Sequence, residues 1–196
     1  MTEPPPAAPP DWERGDRILE LRSRWFTLIG EHWRDHQGQD LEYWRVERAH
    51  SVIVLPIHAD HILLPPPAYR PGIAAPTYDF PGGRLPDDIT PEAATRAILK
   101  RELGVDPSAI AHLTPLNPDG WVINSSFSNQ RLYGWVADLR TPTATPPATW
   151  TIAQRHPTTA IGVRTLLNRL TCLQCRAILL DWWTLHTQPS PAPQNQ

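Results

Sequence analysis

The stretch from Pro81 to Val105 limits the fold more than any other part of the chain. Pro81-Gly82-Gly83 is a sharp turn. Thr90-Pro91-Glu92 then reads as a helix start. The threonine suits the N-cap, the proline suits the first turn because no N–H is needed there, and the acid sits near the positive end of the dipole. Ala93, Ala94, Ala97, Ile98 and Leu99 carry the helix on, and Gly104 is a natural stop. On such a helix, positions three and four apart adjoin. Ile98, Arg101 and Glu102 therefore share one face.

Strands surround this helix. Ser51 to Ile57 (SVIVLPI) is apolar enough to be buried on both faces. His61 to Leu64 pairs with it through a turn at Ala59-Asp60. Glu42–Glu47, Trp121–Ile123 and Arg131–Asp138 read as further strands, and Thr77–Phe80 leads into the glycine turn. Gly162 to His186 reads as one helix or two. Asp11 to Leu28 carries Trp12, Ile18, Leu21, Trp25 and Leu28 at close to helical spacing near its start, although Trp25 to Leu28 could equally open a strand. The expected architecture is an α/β (α+β) domain with a mixed β-sheet between helices. Residues 1–10 and 189–196 are expected to be disordered arms, and 141–149 a Pro/Thr linker. Between them lie an N-terminal segment (11–50), a core (51–140) and a C-terminal helical element (150–188).

A formal net charge of −2 gives no global field toward nucleic acid or a membrane surface. No apolar run reaches membrane-spanning length, and the start of the chain lacks a secretion signal. The expected setting is cytoplasmic and reducing.

The segment Pro81–Val105 resembles the Nudix box. That pattern runs Gly, five residues, Glu, seven residues, Arg-Glu, an aliphatic residue, any residue, Glu-Glu, any residue, Gly and an aliphatic residue. Aligning on Glu102-Leu103-Gly104-Val105 places the first glycine at Gly83 without a gap. Ala68-Tyr69-Arg70 and Asp79-Phe80-Pro81-Gly82-Gly83 are similar to segments of the ADP-ribose pyrophosphatase-like branch. So is Ser126-Phe127-Ser128-Asn129-Gln130 with Leu132-Tyr133 after it. The likeness runs from about Ser23 to Leu139. It implies a Nudix-type α/β/α sandwich, with Arg70, Asp79 and Gly83 near a nucleotide-sugar diphosphate; Arg101, where the pattern has a glutamate, could grip the diphosphate directly through its guanidinium fork. It also implies a homodimer built with the help of the N-terminal segment.

The chemistry of the family needs Mg²⁺ or Mn²⁺, hard cations that want several carboxylate oxygens. The box supplies them from glutamates at i, i+3 and i+4, which here are Ile98, Arg101 and Glu102. The pattern's arginine is Ala97, and its early glutamate is Ile89, with Asp87 and Asp88 beside it as stand-ins. From Leu139 to Leu180 no acid occurs, but Arg140, Arg155, Arg164, Arg169 and Arg176 do. The expected cofactor is therefore none, or a weakly held Mg²⁺ or Mn²⁺ on Glu102 with Asp87 and Asp88. The expected function is a catalytically impaired binder or sensor of ADP-ribose-like compounds. One alternative is an active hydrolase of such diphosphates using Glu102; another is a structural interaction module.

Each of these residues also has a plainer reading. Glu102 could accept N–H groups of the glycine turn. Arg101 could be solvated, or paired with Asp87 or Asp88. Arg70 and Asp79 could simply pair with each other. Trp44, Trp121 and Trp135 could stack on a base, but packing is the commoner role of tryptophan. His58 and His61 flank Asp60 and suggest a metal only faintly. Cys172-Leu-Gln-Cys175 has redox or zinc spacing, yet it falls inside an apolar helical run, and only His156 and His186 are nearby ligands. The sequence therefore favours packing for the cysteines.

Overall fold

The computed structural model describes residues 12–141 and 153–187. The expected arms at 1–10 and 189–196 and nearly all of the expected 141–149 linker lie outside the described residues.

Three strands come first: β1 (Glu13–Arg22), β2 (Thr27–Arg34) and β3 (Asp40–Glu47). They form an antiparallel meander. The helical reading of Asp11–Leu28 is thus corrected to strand. The cause lies in the register, because β1 slips against β2 between Arg14 and Arg17 and again between Arg17 and Leu19. Such irregularities break the two-residue alternation, so the apolar spacing imitates a helix. Glu31 of β2 is fully buried and is gripped by Arg14 (2.6 Å) and Arg45 (2.6 Å). Burial alone would push its carboxyl up, but the two arginines outweigh that and hold it below the ordinary range. Together with Asn124–Gln130, these strands make one compact unit; His50–Ile123 and the chain from Arg131 onward make another.

The second unit is built on β4 (Ser51–His58). Next in chain order are β5 (His61–Leu64), the small hairpin of β6 (Ala68–Arg70) and β7 (Ala75–Thr77), and β8 (Gly82–Arg84). Helix α1 (Pro91–Leu103), β9 (Ile110–Pro115), β10 (Trp121–Val122) and β11 (Arg131–Leu139) follow. The chain then adds β12 (Gln154–Pro157), α2 (Ala160–Arg169) and α3 (Leu173–Thr187). The main sheet runs β10-β11-β4-β5-β12, with β8 on β4 and β9 on β11. Among the described residues the β11–β4 pairing is the one parallel pairing of this sheet, so the sheet is mixed.

Alternation along the central strands fills both faces of this sheet. Val52, Val54, Leu63, Ala137 and Leu139 join a cluster with Ala94, Ile98, Leu99 and Leu103 of α1. Ile53, Leu55, Ile62, Leu64, Leu132 and Val136 join a cluster with Val163 and Leu166 of α2 and Ile178, Leu179 and Trp182 of α3. The expected α/β/α sandwich with a mixed sheet is what forms. Strands β9 and β12 carry too few apolar residues to announce themselves, and the Gly162–His186 stretch is two helices.

Candidate functional site

Helix α1 has the ends its sequence dictates. Thr90 Oγ1 accepts the Ala93 N–H at 3.2 Å, and Gly104 closes the helix in the left-handed region (φ 63°). The inner face buries Ala94, Thr95, Ile98, Leu99 and Leu103. Ile98 is only 2% exposed, so a position that resembles a metal-ligand position has become core. Arg101 and Glu102 lie at the outer edge. The Arg101 guanidinium donates to the Gly82 carbonyl (2.9 Å) and to Glu102 Oε1 (2.6 Å) from the same nitrogen. Two plainer readings are corrected here. Arg101 is seen paired with Glu102 rather than with Asp87 or Asp88. It is Arg101, not Glu102, that is seen bonded to the glycine turn. A Cβ on Gly83 would meet that guanidinium at 3.2 Å and Ile98 at 3.6 Å, so turn and helix are in close contact.

A second charged group stands on the hairpin side. Arg70 reaches Asp79 Oδ2 through Nε (2.8 Å) and Nη2 (2.7 Å), and the Thr77 hydroxyl donates to the same oxygen (2.8 Å). Asp79 is largely sheltered, whereas Arg70 remains half exposed. Arg70, Thr77, Asp79, Phe80 and Glu102 line a cavity of about 200 Å³. Whole-ligand pockets run to about 300–1,000 Å³, so a nucleotide sugar would extend beyond this one. Asp87 and Asp88 are exposed in the loop before α1 and do not line it.

These residues do not fit a divalent metal clamp. Hard cations need several carboxylate oxygens, and the two carboxylates of this cavity, Asp79 and Glu102, are each already paired with an arginine. Trp121 and Trp135 pack against the two core clusters, while Trp44 is exposed and covers Gly30 of β2. His58 bonds the Thr141 hydroxyl, and His61 bonds the Ala59 carbonyl of its own turn. A larger cavity of about 440 Å³, lined by Asp60, Asp138, Trp182 and His186 among others, holds none of the expected site residues.

The cysteines pack as expected, Cys175 inside the core and Cys172 against it, but Cys172 stands elsewhere than in the expected helical run. Cys172 is not inside a helix but caps α3, its carbonyl accepting the Arg176 N–H at 3.0 Å. The adjacent Cys175 side chain, helped by the backbone amides at the start of α3, lowers the Cys172 thiol to about 6 against the opposing effect of burial. Cys175 is 1% exposed, accepts the Phe80 N–H at 3.4 Å and faces Asp79 Oδ1 at 3.9 Å. The adjacent Cys172 side chain and its own burial push its thiol far up. Asp79, Cys172 and Cys175 present ligand-type atoms within 4.8 Å of one another, and this is the one such group among the described residues. No glycine or proline marks the break before Cys172, so only the C-x-x-C spacing pointed to it.

No family model matches the chain, and no curated protein does. Solved structures do match. One is the crystal structure of an ADP compounds hydrolase, with a TM-score of 0.71 at 21% identity, over 92% of this chain and 98% of that one. At that identity the likeness speaks for fold alone: the chain shares with that structure an α/β/α sandwich with a mixed β-sheet.

Proposed function

We propose that the chain is a catalytically impaired binder of ADP-ribose-like nucleotide-sugar diphosphates, acting as a sensor or regulator. One observation carries this reading. A guanidinium, Arg101, spans Glu102 and the Gly82 carbonyl at the edge where the box resemblance implies clustered carboxylates and a metal. A fixed cation there suits a diphosphate directly, because an arginine fork matches phosphate oxygens. Arg70 and Asp79 beside the cavity would grip the rest of the ligand. Mg²⁺ or Mn²⁺ is not part of this reading. A second copy of the chain is the proposed partner, with the N-terminal strands, where Leu19, Leu21, Trp25 and Phe26 are exposed, as its surface.

ADP-ribose is expected to raise the melting temperature in the absence of divalent metal, as a ligand binding only the native state must. AMP release is expected to stay at background with Mn²⁺ present. A flat thermal response would reject the binder. Metal-stimulated release of AMP that disappears in Glu102→Gln would establish the second reading, an active hydrolase, which the name of the fold neighbour favours.

A further inference from the structure

We infer that Cys172 and Cys175 form a dithiol that closes to a disulfide when met by a hydroperoxide, with Asp79 as the proton acceptor for the buried thiol. The arrangement is asymmetric in the way such a pair requires. Cys172 is partly exposed just before α3, its sulfur within 4.8 Å of the Cys175 sulfur, where the positive end of the helix dipole favours a thiolate. Cys175 is enclosed and turned toward the Asp79 carboxylate. Arg70 and Thr77 hold the other oxygen of Asp79, leaving Oδ1 toward the sulfur. The depressed thiol of Cys172 and the raised thiol of Cys175 agree with this division of roles.

The step balances. The Cys172 thiolate attacks the outer peroxide oxygen, an S–O bond forms, the O–O bond breaks, and the alkoxide leaves and takes a proton from water to become an alcohol. Asp79 then accepts the Cys175 proton. The Cys175 thiolate attacks the Cys172 sulfur, the S–S bond forms, and hydroxide departs to become water. Two thiols are oxidised by two electrons, and one hydroperoxide is reduced.

A zinc centre is the competing use of the same atoms. A closed zinc site takes four ligands; the described residues bring three together, and one of them already belongs to an ion pair with Arg70. The proposal stands independently of any ADP-ribose binding.

The chain has only two cysteines, so thiol counting is unambiguous. One equivalent of hydrogen peroxide on the native full chain is expected to consume both thiols and leave a monomer lighter by two hydrogen atoms. In Cys175→Ser, oxidation should stop at a sulfenic acid on Cys172 that dimedone traps. In Cys172→Ser, the remaining thiol should stay reduced. Alkylation of Cys172 by iodoacetamide in Cys175→Ser and in the wild type separates its own reactivity from its partner's influence, and circular dichroism verifies that each variant is folded. Disulfides formed only between chains, or thiols that survive peroxide in the folded protein, would overturn the proposal. So would stoichiometric zinc in the purified protein that blocks oxidation.

Discussion

Asp79 and Glu102 line the same cavity, yet they are held in different ways. Asp79 is fixed by residues from elsewhere in the hairpin: two nitrogens of Arg70 and the Thr77 hydroxyl converge on one oxygen. Its other oxygen faces a buried sulfur. Glu102 has an ion pair with the residue just before it, and that arginine is itself well exposed. The first carboxylate belongs to a built constellation. Among the described residues, the second is paired only with the residue next to it. A carboxylate held by several convergent donors keeps its geometry when a ligand arrives; one paired to a flexible neighbour can be released.

The largest expected effect comes from restoring an acid on the inner side of α1. Ile98→Glu should lower stability by about 3 kcal/mol or more in urea titration, because it buries a charge without a partner. If that variant is as stable as wild type and takes up Mn²⁺ in calorimetry, Glu102 is one half of a latent metal site and the contrast with Asp79 collapses. Asp79→Asn should come next. It leaves Arg70 without its counter-charge and should weaken ADP-ribose by about tenfold, roughly 1.4 kcal/mol; an unchanged affinity would make the clamp a bystander. Arg101→Ala should be milder in stability, within about 1 kcal/mol for an exposed pair, but should abolish metal-free binding if Arg101 grips the diphosphate. Glu102→Gln should change stability least, by under about 0.5 kcal/mol. A larger loss would show that this carboxylate is as firmly built in as Asp79.

How much of this was legible in the sequence follows the range of the interactions. The α1 helix, with Thr90 and Gly104 at its ends, and the two-sided strand β4 are specified by residues close together in the chain, and they appear where expected. The sandwich follows from them. Strand β1 is not legible locally because slips in pairing with β2 disguise its period, and pairing is not written in local spacing. Arg70 with Asp79 could be anticipated as a pair, being nine residues apart across a short hairpin. The approach of Asp79 to Cys175 spans 96 residues, and no local pattern reports it. Ile98 and Arg101 were legible as departures from the box pattern, but the guanidinium's choice of Glu102 over the aspartates depended on where the turn at Gly82 came to rest.

The single parallel pairing in the sheet has a consequence for how the chain reaches its native state. Ser51 through His58 lies beside Leu132 through Leu139, a separation of about eighty residues. Closing so long a loop is entropically costly and slows folding compared with local hairpins. While the chain leaves the ribosome, β4 can pair with β5 and β8, but the flank meant for β11 stays open until residue 139 has emerged. That flank belongs to the apolar run Val52-Ile53-Val54-Leu55. An uncovered apolar strand edge invites association with other chains. Fragments that stop short of β11 are therefore expected to aggregate rather than to accumulate as half-built domains.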